Sequence, residues 1–203
     1  MITTWGYELT ALEVLPDLLT VDQYATLTGR ADDANRVEEE IAAACVAVRN
    51  YVGWHLGPSA ACRMSTVMSD RRITRVGCDL LIQLPARFVT GVTSVSIDGA
   101  AQEHFAVDSN GILRVFDVGC VARYSAVVVD YTAGLSDAML ASIRDLVAHR
   151  VMHAHAVAPG ITSEASGGVS VTYNAGWVNN AQSSTLNNAE RELLVPYKVQ
   201  GVF

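Results

Sequence analysis

The chain has 203 residues, half of them apolar, enough to bury a sizeable core in one domain or two small ones, which excludes a disordered tail. Its net charge of −7 is uneven: residues 1–61 carry nine acids against three Arg, residues 62–135 seven against seven, and residues 136–203 five against four. That balance lacks the clustered Lys and Arg of a protein that grips nucleic acid by counterion release, and suits a surface that DNA passes without sticking.

The first residues, "MITTWGYELTALEVLP", place no basic region ahead of an apolar one, and the longest apolar run, "IAAACVAV", is far shorter than the roughly 18 residues of a membrane span. A soluble, intracellular chain with no membrane partner is expected. Cys45, Cys62, Cys78 and Cys120 are scattered without a C-x-x-C pair, so the expectation is four reduced and mostly packed thiols.

In chain order, "LLTVDQYATLTGR" sets Thr20 three residues before Gln23, a capping-box spacing, and Gly29 as a stop, which predicts a short helix over 21–28. A long helix follows in "DDANRVEEEIAAACVAVRNYVGWHL". Asn35 and Glu38 repeat the capping spacing, and Val37, Ile41, Ala44, Val48 and Tyr51 recur at intervals of three and four. Glu38, Glu39 and Glu40 crowd its start, where the helix dipole favours acids, and Gly53 marks its end. Trp54 reads as a core plug beside that end.

From Cys62 to Thr132 the texture becomes short Val, Ile, Thr and Tyr runs cut by turn residues. Strands are expected over 63–68, 80–84, 92–97, 104–107, 112–116 and 124–131, with hairpin turns at Asp98-Gly99 and at "DSNG", residues 108–111. An antiparallel meander of four to six strands results. Helical period returns in "LSDAMLASIRDLVAHRVMHAHAV", with Ser136 as N-cap, Met139, Ile143, Leu146, Val147 and Val151 on one face, and Pro159-Gly160 as the stop.

The remaining residues hold "SEASGGVSVTY", an Asn-rich stretch, and "LNNAERELLVPYKV". In the last, Asn187 caps toward Glu190 and Pro196 halts the helix. The expected fold class is therefore α+β: a small helical bundle core from 1–61 and 136–160, an inserted antiparallel β domain over 62–135, and an extended C-terminal tail over 161–203.

Chemistry is sparse. Asp145, His149 and His153 lie four apart on one helical face, a spacing that can hold a metal between His side chains. No Glu stands beside the first His as a general base, and His155 points roughly 160° away from His153. The plainer account is an i,i+4 pair and His residues favourable to a helix C-terminus. No nucleophile elbow or phosphate-binding loop follows a strand, so neither a catalytic residue nor a cofactor or metal is expected. "RRITR", with Arg71, Arg72 and Arg75, reads as a solvated turn that can touch phosphates or an acidic partner. Trp5, Tyr7, Trp54 and Trp177 lie outside the β block, so no aromatic ladder for sugars or bases is written there.

Taken as an ordered series, "LLTVDQYATLTG", "VRNYVGWHL", "VVVDYTAGL", "AMLASIRDLVAHRVMHAH", "TSEASGGVSVTY" and "LNNAERELLVPYK" resemble the head-tail connector (adaptor) proteins of long-tailed double-stranded DNA phages. The E-x-x-L-L-x-P-Y-K pattern from Glu190 to Lys198 is the most specific piece. The resemblance implies a structural protein and not an enzyme. It implies a homo-oligomer, a twelve-fold ring under the portal protein that extends the DNA channel and meets head-completion or tail proteins. Genomic DNA would pass through without sequence-specific binding. The location implied is the virion neck, after synthesis in the host cytoplasm, and the β block resembles the insertion of longer family members.

On that reading, Val169, Val171 and Tyr173 on one strand face, with Leu193, Leu194, Pro196, Tyr197 and Lys198, are the expected subunit or portal contacts. Glu38, Glu39 and Glu40 and the Arg run supply charge facing the channel or a partner. Removing everything from Thr162 onward is expected to leave the helical core folded and block assembly. Alternatives are a head-closure or tail-completion protein of the same particle, a metal-dependent enzyme using Asp145, His149 and His153, and a carbohydrate-binding β module.

Overall fold

The computed structural model describes residues 3–10, 15–156, 163–166, 169–172 and 186–199. The expected stop at Pro159-Gly160, Tyr173, Trp177 and most of the Asn-rich stretch lie outside them. The fold is mixed α+β, and the chain divides into two compact units. A β unit gathers the described residues of 1–15, 52–136 and 197–203, and a helical unit those of 16–51 and 137–196.

In the helical unit, α1 (Val21–Thr28) forms with the expected bounds: Thr20 Oγ1 accepts from the Gln23 amide, the Gln23 side chain accepts from the Thr20 amide, and Gly29 closes the helix at φ 68°. Tyr24, on its buried side, donates to Asp32 Oδ2 at 2.8 Å, and burial together with this carboxylate pushes its hydroxyl up to about 12. In α2 (Ala34–Val52) the capping differs from expectation. Asp33, not Asn35, accepts from the amides of Asn35 and Arg36, so the helix begins two residues earlier and no acid stands in its first turn. Glu38, Glu39 and Glu40 therefore sit beyond the reach of the terminal dipole's strongest effect.

The buried stripe of α2 runs through Val37, Ile41, Ala44, Cys45 and Val48, while Tyr51 is half-buried. In α3 (Asp137–Ala156) it runs through Leu140, Ile143, Leu146, Val147 and Val151. The Arg36 guanidinium reaches the Ala154 carbonyl at 3.5 Å and ties the start of α2 to the end of α3.

The β unit is not a simple meander. One sheet has the order β1-β2-β9-β5-β6, from β1 (Glu8–Leu9), β2 (Ala60–Val67), β5 (Val89–Ile97), β6 (Ala100–Ala101) and β9 (Ala126–Ala133). A second has the order β3-β4-β8-β7, from β3 (Ile73–Val76), β4 (Asp79–Gln83), β7 (Phe105–Val107) and β8 (Ile112–Val115). The centre of the first sheet is a long-range pairing of β2 with β9, Met64 opposite Val129 and Cys62 opposite Tyr131. Burial alternates along β9, as a strand with one covered face requires.

Both expected turns form: Asp98 and Gly99 adopt φ 50° and 78° between β5 and β6, and Asp108 accepts from the Ile112 amide between β7 and β8. Gly134, just after β9, is dictated by close approach, since a Cβ there would lie 2.3 Å from Ser59 Cα. The β unit also recruits residues outside the expected insertion: β1 extends the first sheet, and the Val199 amide donates to the Val52 carbonyl.

The expected lone strand has a partner of its own. β11 (Val169–Thr172) pairs antiparallel with β10 (Ser163–Ser166), Ser166 opposite Val169, and this two-stranded sheet joins neither of the others. Gly167 and Gly168, between them, lie outside the described residues. A last helix, α4 (Asn188–Leu194), passes into a 3-10 turn at Val195–Tyr197.

Candidate functional site

The "LNNAERELLVPYK" segment is held at successive points by groups far away in sequence. Asn187 Oδ1 accepts from the Glu190 amide at 2.8 Å and Glu190 Oε2 accepts from the Asn187 amide at 2.7 Å, the expected capping box. The same Glu190 carboxylate receives Arg150 Nη1 at 3.1 and 2.9 Å. The Arg150 side chain is only 7% exposed and Glu190 16%, so this is a largely buried ion pair that fixes α4 to α3. Leu186 and Leu194, on either side of this cap, are also buried.

Two residues on, in the β unit, the Trp54 indole donates to the Tyr197 carbonyl at 2.7 Å. The Tyr197 ring lies 5.8 Å from that of Phe88, which stacks on Trp54 at 6.2 Å. Arg87 Nη1 donates to the Lys198 carbonyl at 3.3 Å. Trp54 is fully buried, as the plug reading expects, and it meets His55 edge-on. His55 is itself locked: the Ala133 carbonyl can only accept, so Nε2 carries the proton, and Nδ1 then accepts from the Tyr7 hydroxyl at 2.7 Å.

The expected contact residues thus divide. Leu194 is fully buried and Tyr197 is half-buried against Phe88, so both side chains are largely turned from solvent within this chain. Leu193, at 64% exposure, with Pro196 and Lys198 faces solvent, and Val195, which the sequence did not single out, joins them at 56%. Val169 and Val171 lie on β11 as expected. Truncation at Thr162 would remove the Glu190 carboxylate from Arg150 and the Tyr197 carbonyl from Trp54.

The charged candidates also separate. Glu38 and Glu39 are exposed and make no hydrogen bond or ion pair among the described residues, while Glu40 pairs with Arg36 at 3.1 Å. "RRITR" is not a plain turn, because its second half forms the edge strand β3. Arg72 is clamped by Asp70 through Nε at 3.1 Å and Nη2 at 2.8 Å, and Thr66 donates to the same carboxylate at 2.6 Å. The Arg72 guanidinium holds the Asp70 carboxyl well below the usual carboxylate range. Arg71 and Arg75 are exposed, Arg75 donating to the Gly77 carbonyl at 3.3 Å.

Among the described residues no group of three or more His, Cys, Asp and Glu converges to hold a metal. Asp145 lines a cavity of about 360 Å³ between α1 and α3, with Gln23, Leu27 and Ala141. Partial burial and the neighbouring His149 push the His153 imidazole below the usual range, against the pull of Glu190. Cys45 and Cys62 are buried, and burial pushes the Cys62 thiol up to about 12; Cys78 and Cys120 are exposed, so only half of the thiols are packed. No helix among the described residues is long and apolar enough to cross a membrane.

Sequence reasoning did not single out Arg150, nor the internal contacts of Tyr197. Arg150 stands three residues after Val147 and four after Leu146, on the apolar stripe of α3, and a cation there demands a buried partner. No protein-family profile and no curated protein matches the chain.

Proposed function

We propose that the chain is a structural head-tail connector, a ring-forming adaptor that sits under the phage portal, extends the DNA channel and offers its C-terminal segments to neighbouring proteins. The observation that carries this reading is the β10–β11 hairpin, which pairs with itself and joins neither sheet of the β unit. A two-stranded hairpin is marginal in water and leaves an outer row of backbone donors and acceptors on each strand. Addition to the sheet of a neighbouring subunit or of the portal satisfies them.

The exposed Leu193, Val195 and Pro196 follow on a segment fixed by Glu190, which presents apolar side chains without the entropic cost of ordering them. The net charge of −7 supports passage of DNA over binding of it. The role is non-enzymatic, and the site of action is the virion neck.

Replacing residues 163–172 by a Gly-Ser linker removes the hairpin and keeps Glu190, Leu194 and Tyr197 in place. The expected result is an unchanged far-UV circular dichroism spectrum and melting temperature, with portal binding reduced at least about tenfold. Portal binding equal to that of the intact chain would contradict the reading.

A further inference from the structure

The β unit contains a second cavity, of about 540 Å³, whose lining includes Trp5, Gly6, Arg71, Arg72, Gln83 and Pro85. Its chemistry is that of an anion receptor. Arg72 is set before any ligand arrives: Asp70 holds Nε and Nη2, and the Gly6 backbone packs so closely that a Cβ there would lie 2.9 Å from Nη1. Nη1 donates to no group among the described residues, and neither does the exposed Arg71 guanidinium beside it. With one carboxylate against two guanidinia the pocket is locally cationic in a chain of net charge −7. Trp5, half-exposed and stacked on Tyr7 with centroids 6.3 Å apart, supplies a rigid apolar wall that limits water around an incoming ion pair.

We propose that this cavity is the receiving half of a head-to-tail contact between copies of the chain, in which Arg71 and Arg72 take the carboxylates of Glu38 and Glu39 from the next copy. The proposal rests on the ring reading above and adds to it which surfaces meet. Glu38 and Glu39 are two adjacent, exposed carboxylates with no partner among the described residues, matching two adjacent guanidinia with unused donors. Guanidinium–carboxylate pairs are directional, so they fix register as well as attract. A receiver on one copy that takes a donor from the next can repeat head to tail, the kind of contact that generates a ring when the rotation closes. A duplex backbone is the poorer occupant, since a phosphate grip needs a row of cations and this concavity offers two.

The test uses two full-length variants, Arg71→Glu and Glu38→Arg, followed by sedimentation velocity on the chain alone and with portal rings. All the altered side chains are exposed, and circular dichroism checks that each variant is folded. Each variant alone is expected to self-associate at least about tenfold more weakly than the wild type, because like charges then meet at every contact. An equal mixture of the two regains wild-type assembly, since alternating copies restore opposite charges throughout. Raising salt from about 0.05 to 0.5 M weakens the wild type in the same direction.

Wild-type assembly by either variant alone, or a mixture that fails to recover, overturns the proposal while leaving the ring reading standing. A wild type that never associates, with or without portal, overturns both. If Arg71→Glu leaves self-association intact and abolishes binding of a labelled short DNA duplex, the cavity is a phosphate site and the proposal is wrong.

Discussion

Replacing Trp54 by alanine is expected to cost the β unit about 3–5 kcal/mol of unfolding free energy. Trp54 is fully buried, stacks on Phe88, meets His55 edge-on and donates its indole N–H to the Tyr197 carbonyl at 2.7 Å. Alanine removes the largest side chain at the end of α2 and leaves a cavity among rings that cannot collapse, because His55 is fixed by the Ala133 carbonyl and Tyr7. Trp54→Phe keeps much of the packing and loses only the donor, so its cost is about 1–2 kcal/mol. Urea unfolding followed by far-UV circular dichroism measures both. A loss below about 1 kcal/mol for the alanine variant would show that the aromatic cluster is not the anchor described here.

The second large effect is at Glu190. Glu190→Ala deletes the carboxylate that receives Arg150 and breaks the capping box with Asn187. Arg150 is then left with its side chain 7% exposed and its counter-charge gone. The expected loss is about 3–5 kcal/mol, from the broken buried ion pair together with the lost cap. Because much of that loss comes from keeping a guanidinium buried without the Glu190 carboxylate, Arg150→Met combined with Glu190→Leu should recover most of it. A double variant no more stable than Glu190→Ala, measured by the same unfolding curves, would assign the effect to the cap alone.

These anchors mark where the sequence was legible and where it was not. Capping chemistry is local, and it placed α1 between Thr20 and Gly29 and the start of α4 at Asn187. It misled at α2, where Asp33 and Asn35 offer overlapping caps two residues apart, and the choice is settled by which side chain reaches the free amides. Turn chemistry was equally readable at Asp98-Gly99.

Pairing was not. The partnership of β2 with β9 spans the whole insertion, and alternation along each strand says which face is covered but not which strand lies beside it. β3 escaped because an edge strand with one half-buried and three exposed residues carries no alternating signal, and its Arg residues read as a loop. β10, "SEAS", is too small and polar to register as a strand, which is why β11 looked solitary.

The candidate surfaces follow the same division. "E-x-x-L-L-x-P-Y-K" was recognisable as a unit, yet Arg150 holds its Glu190, its Leu194 is fully buried and its Tyr197 lies against Phe88. What remains outward is Leu193, Val195, Pro196 and Lys198, a distinction that depends on the direction of each side chain and not on residue type. The acidic and basic runs were visible as runs. Only the structure separates Glu38 and Glu39, which make no pair among the described residues, from Glu40, which Arg36 holds, and Arg71 from Arg72, which Asp70 holds.

The central claim, that this chain is a ring-forming adaptor completed by the portal, is tested most directly by native mass measurement of the intact protein with and without purified portal rings. The account predicts a discrete complex in which a ring of copies, twelve in the form the resemblance implies, is bound to one portal ring. A chain that stays strictly monomeric and never joins a portal would contradict it.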